Sequence, residues 1–143
     1  MTSNEARTQH IANALAGATG VVFFYFKYVA RSSDPYSSAP SSWEPVAHNL
    51  HVLVSPLLLF AVGLIWMDHI WKKIARARQK RRQSGVLMAG LFAPMAISAY
   101  AIQVSVDETT RKTWATIHIA TSVAWLVGYL VHLAFKPGAG SQR

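Results

Sequence analysis

The amino-acid sequence predicts an all-α integral membrane protein, a four-helix bundle with both termini on the inner side of the bilayer. Three observations predict it. Of 143 residues, 52% are hydrophobic and only 14% charged, a balance that a disordered chain does not have. Four apolar stretches reach the roughly 20 residues that a bilayer-spanning helix needs. Seven of the 14 Lys and Arg residues fall between Lys72 and Arg82 with no acid among them, and basic residues hold loops on the cytoplasmic side. The net charge of +8 therefore reads as a topology signal, not as a nucleic-acid-binding surface, and no nucleic-acid partner is expected.

Each element follows in chain order. Span one covers about residues 11–30. The nine residues before His10 carry Glu5 as well as Arg7, which argues for a retained span and against a cleaved signal peptide. Arg31 to Pro45, RSSDPYSSAPSSWEP, is rich in Ser and Pro and reads as an irregular outer loop. Span two covers about 46–71, with Ser42, Glu44 and Pro45 marking its start. After the basic run, span three covers about 85–106 and span four about 114–135. Only a few polar residues separate those two, so they are antiparallel neighbours. Pro56 and Pro94 each remove a backbone hydrogen bond inside a span and bend it.

With both termini inside, the inner face receives Arg7, the seven clustered basic residues, Lys136 and Arg143. The outer face receives Lys27, Arg31, Arg111 and Lys112 beside Asp34, Glu44, Asp107 and Glu108. Trp43, Trp71 and Trp114 stand where interfacial anchors belong. Four spans use most of residues 1–143, which predicts a single transmembrane domain in contact with membrane lipid.

The chemistry-bearing residues are the six histidines, His10, His48, His51, His69, His118 and His132, all within or at the ends of spans. Ionisable groups inside a membrane are costly and face partners in preference to lipid. His118 and His132 are fourteen residues apart on span four, about 40° apart in azimuth and about 21 Å apart along the axis. Two stacked haems, each with two axial imidazoles, need such a pair. With no cysteine in the chain, any haem is held non-covalently, and disulfide frameworks and Cys-type zinc modules are excluded.

His51, near the start of span two, is the candidate partner of His118, with His48 one turn earlier as its alternate or as a surface residue. For the inner side two residues compete. His69 lies five full turns from His51, with a rise of about 27 Å that tilt or a bend at Pro56 would have to absorb. His10 requires only that span one pack beside span four. Gly17, Gly20, Gly63 and Gly128 are positions where a flat macrocycle has room to approach the backbone.

The sequence resembles the di-haem, four-helix membrane cytochromes b of bacterial respiratory complexes. The resemblance rests on His118 and His132, on the His51 region of span two and on His10. In that family the fourth span ligates both haems, which implies His118 and His132. Its second-span ligand falls on His51 or His48 and its first-span ligand on His10, although Ile11 stands where the family often has Trp. The stretches HNLHVLVSP, GLIWMDHI and PMAISAYAIQV also resemble a less characterised group of bacterial four-helix membrane proteins. That likeness implies the set His51, His69, His118 and His132.

The resemblance implies an electron-transfer subunit of the bacterial inner membrane. Two b-type haems would link a quinone or quinol to a partner redox protein, an outer-face c-type cytochrome or metalloenzyme subunit. The competing expectation is a non-redox membrane anchor or scaffold within a larger complex.

Overall fold

The computed structural model describes residues 2–30, 36, 41–72 and 82–134, without the side chains of 68, 69 and 82–84. Most of the expected outer loop, the basic run from 73 to 81, and everything from 135 onward lie outside the described residues. Within them the chain is all-helical. Helix α1 is Ser3–Phe24, continued by a π turn over Tyr25–Val29. Helix α2 is Glu44–Ile65, continued by a π turn over Trp66–Trp71. Helices α3, Arg82–Val104, and α4, Glu108–Ala134, complete the set.

Local chemistry explains the helix starts. Thr2 and Glu5 form a reciprocal cap on α1: the Glu5 N–H donates to Thr2 Oγ1 at 3.2 Å, and the Thr2 N–H donates to the Glu5 carboxylate at 2.8 Å. Two donors that helix geometry leaves without partners are thereby satisfied. Helix α2 begins at Glu44 with Pro45 in its first turn, where a missing N–H costs nothing. Ahead of α4, the Asp107 carboxylate accepts the Thr110 N–H at 2.7 Å, the role of an N-cap.

Among the described residues three helices are long and apolar enough to cross a membrane, Glu44–Ile65, Gly85–Val104 and Glu108–Ala134. The expected span over 11–30 differs. The α-helix starts eight residues earlier, so it includes the polar run Ser3 to His10. The aromatic end of the apolar stretch falls in the π turn, outside the α-helix proper. Large apolar side chains such as Leu53, Phe60, Ile97 and Val104 point outward. An apolar outer face of this kind suits lipid and not water.

The chain divides into two compact units, Met1–Asp68 and His69–Arg143. The first is an antiparallel hairpin of α1 and α2. Its register is set by Lys27 with Glu44, Phe23 with His48, and Thr19 and Gly20 with His51. Along α1 the seam positions are 9, 13, 16, 20, 23 and 27, and along α2 they are 44, 48, 51, 55, 58, 62 and 65. Both series alternate steps of three and four, as side chains interlocking between nearly parallel axes require. Ala16 within it and Ala12, Ala47 and Ala61 beside it are buried, and such small residues let helix backbones approach closely in lipid.

The second unit is an antiparallel hairpin of α3 and α4. Here Phe92 meets Trp125, with ring centroids 5.4 Å apart, and Met95 and Ser98 meet His118. Along α4 the positions 118, 125 and 132 recur at intervals of seven, so His118, Trp125 and His132 share one stripe.

Candidate functional site

In the first hairpin His51 is half-buried against α1. Its Nδ1 lies 3.1 Å from Thr19 Oγ1. The Thr19 hydroxyl already donates to the Leu15 carbonyl at 2.8 Å, with the Ala16 carbonyl also in reach at 3.2 Å. A threonine hydroxyl has one proton. With that proton directed to the backbone, Oγ1 accepts from His51 Nδ1–H, and Nε2 is the lone-pair nitrogen.

The imidazole comes this close because residue 20 is glycine. A Cβ there would stand 3.1 Å from His51 Cε1. The approach expected of a macrocycle at Gly20 is made by His51 itself. Gly63 has no atom within 4 Å of a notional Cβ, and at Gly128 the nearest is Met88 Cγ at 3.6 Å, so neither marks a tight approach.

Phe23 completes the His51 surroundings. Its ring is stacked with His51 at 6.2 Å between centroids and 25° between planes, and tilted on His48 at 5.1 Å. The Lys27 ammonium lies 5.1 Å from the centre of the same ring and 3.7 Å from Glu44. His48 itself faces Asn49 Oδ1 at 3.3 Å, nearer the end of α2 than His51.

In the second hairpin His118 has an equivalent arrangement built from different groups. Its Nδ1 lies 3.0 Å from the Met95 carbonyl and 3.4 Å from Ser98 Oγ. A carbonyl oxygen can only accept, so Nδ1 carries the proton here too. Ser98, with no exposed surface, donates its one proton to the Pro94 carbonyl at 2.6 Å, with the Met95 carbonyl also in reach at 3.0 Å. Ser122 Oγ lies 3.4 Å from Nε2, as a weak donor to the lone-pair nitrogen.

His132 is half-buried on the same stripe of α4, fourteen residues beyond His118. The helix is α-helical without interruption between the two, which keeps the expected rise of about 21 Å. Trp125, buried against Phe92, lies midway.

The inner-ligand alternatives read differently in this structure. His69 falls within the π turn Trp66–Trp71. The wider i→i+5 turn departs from the five even α-turns expected between 51 and 69, and the His69 side chain lies outside the described residues. His10 is half-buried on α1. Continuing the hairpin register places it level with Ala61, ten residues from His51, a rise of about 15 Å. That differs by about 6 Å from the rise between His118 and His132.

Among the described residues no three His, Asp or Glu side chains converge on one point. The donors are separate imidazoles, each fixed by its own hairpin. Thr19, Met95 and Ser98 do not stand out as site residues in the sequence, and Gly20 stands out there only as room for a macrocycle, not as the seat of His51. Their signal is spacing: Gly20 continues the series 9, 13, 16, and Ser98 stands one turn after Pro94. No known protein family matches the chain, and neither does any curated protein or solved structure.

Proposed function

We propose that the protein is a transmembrane electron-transfer subunit carrying two b-type haems between paired histidines. His51 and His118 supply the axial imidazoles of the outer haem. His132 supplies one to the inner haem, with His69 or His10 as its partner. A bound haem would contribute one-electron exchange between ferric and ferrous iron. What supports the reading is the state of the two best-defined imidazoles. His51 and His118 each have Nδ1–H directed at an acceptor on the neighbouring helix, which makes Nε2 the coordinating nitrogen and orients the ring.

The donor set therefore fits a haem. A bis-imidazole site needs two neutral, half-buried rings with fixed tautomers, and it needs no third protein ligand. The chain's own residues hold and orient the rings. Phe23 shields the His51 ring, and buried Trp125 separates the His118 and His132 levels of α4. The remaining parts of the proposal are a quinone or quinol on one side, an outer-face redox protein on the other, and location in a bacterial inner membrane with both termini inside.

Spectra of the purified full chain test the reading. Dithionite-reduced b-type absorption bands and about two haems per chain by pyridine assay are expected. His118→Ala and His132→Ala should each remove about one haem, and separate Ala replacements of His69 and His10 identify the inner ligand. A chain without haem, or both α4 variants with full haem content, would sink the reading in favour of a non-redox anchor.

A further inference from the structure

We infer that Thr19 is a positioning residue for His51, fixing its imidazole as the Nδ1–H tautomer and so selecting Nε2 as the coordinating atom. The functional consequence rests on the haem reading above; the tautomer itself does not. Three contacts carry the inference. Thr19 Oγ1 stands 3.1 Å from His51 Nδ1, its own proton goes to the Leu15 carbonyl at 2.8 Å, and Gly20 leaves the ring 3.1 Å from a notional Cβ on the same helix. The ring is thus held against one turn of α1 by an acceptor on one side and by the lack of a side chain beside it.

His118 provides the comparison. Its acceptor is the Met95 main-chain carbonyl at 3.0 Å, with the Ser98 hydroxyl 3.0 Å from the same oxygen. A main-chain carbonyl cannot be removed by substitution, whereas a threonine hydroxyl can. The two imidazoles therefore differ in kind: side-chain replacement at one position can release His51, while the carbonyl at Met95 keeps His118 fixed. An acceptor on Nδ1–H raises the basicity of Nε2 toward a metal. Removing the Thr19 oxygen should weaken the His51 ligand and favour ferrous over ferric iron at that haem alone.

The test begins with the full chain, 15N-labelled at histidine and purified without added haem. It is read by long-range 15N–1H correlation at about pH 9, well above the ordinary histidine value of about 6.5. Signals are assigned by His51→Gln and His118→Gln. In the wild type, both His51 and His118 are expected with Nδ1 protonated and Nε2 as acceptor. Thr19→Val, close in shape but without the acceptor, should convert His51 to a tautomer mixture and leave His118 unchanged. Thr19→Ser, which keeps the oxygen, should retain the wild-type pattern.

A wild-type His51 protonated at Nε2, or a Thr19→Val chain with an unaltered His51 pattern, would overturn the inference. In the haem-loaded protein, Thr19→Val should weaken retention of one haem by about 10- to 100-fold in transfer to apomyoglobin and raise one of two midpoint potentials, with Thr19→Ser restoring both. A chain that takes up no haem defeats the electron-transfer reading, while the tautomer result stands or falls by the haem-free spectra.

Discussion

Gln9 shows what a single polar side chain does in the seam of the first hairpin. It is 8% exposed, and its Oε1 has no hydrogen-bond partner among the described residues. Its backbone carbonyl is served by the buried Asn13, whose amide donates to it at 2.8 Å. A buried acceptor without a donor costs about 1–3 kcal/mol, whereas an apolar group of similar shape avoids that loss. Gln9→Leu should therefore leave the hairpin as stable as before or more stable, by up to about 1–3 kcal/mol. Thermal unfolding of the full chain in detergent measures it, and a clear loss of stability would mean that Oε1 is satisfied in solution. His51 and His118 sit at comparable seam positions but have acceptors matched to them. Sequence spacing placed those two histidines on plausible faces. It could not find Thr19 or Met95, because a partner on another helix depends on the register between helices and not on periodicity within one.

At the level of elements, the apolar runs predicted helices α2, α3 and α4 within a few residues at most ends, and the α4 start lies six residues earlier than expected because Asp107 caps it. The two π turns were not legible. Nothing in YFKYV or WMDHIW distinguishes them from further α-helix by composition, because the change from i→i+4 to i→i+5 bonding is made in the backbone and leaves no mark in residue type. The Asp107 cap carries a pH dependence. The Thr110 N–H and hydroxyl hydrogen bonds hold the carboxyl below its ordinary value. A group whose pKa is depressed by folding stabilises the folded form above its unfolded value and loses that contribution as pH falls through the folded value. Fraying at the start of α4 should thus appear only on acidification below about pH 4, the ordinary Asp range. Hydrogen exchange at the Thr110 amide should rise there, while Asp107→Asn, which caps without a charge, should flatten the profile. An equal pH response in the variant would remove Asp107 as the cause.

For the whole molecule, the question is which side of the membrane each connection occupies, because under the proposed electron-transfer function orientation decides which end of the helices would meet an outer partner. Two features make it directly measurable. The chain has no cysteine, so a single introduced thiol is unambiguous. The connections also separate by charge: Lys72 to Arg82 holds seven basic residues and no acid, whereas Lys27, Glu44, Asp107, Glu108, Arg111 and Lys112 mix both signs at the opposite helix ends. Basic residues are retained on the cytoplasmic side and acids contribute little to the choice. Tyr36, 95% exposed, and Val106, 97% exposed, mark the two mixed-sign connections. Gln79 lies in the basic one. In intact cells a membrane-impermeant thiol reagent should label Tyr36→Cys and Val106→Cys, and it should reach Gln79→Cys only after permeabilisation. The antiparallel register of each hairpin requires Tyr36 and Gln79 to differ if α2 crosses the membrane, and Val106 and Gln79 to differ if α3 does. Labelling of all three in intact cells would mean that these helices do not span. The reversed pattern would preserve the spans while placing the His51 and His118 ends on the inner side, and an outer-face electron partner would then have to meet His132 instead.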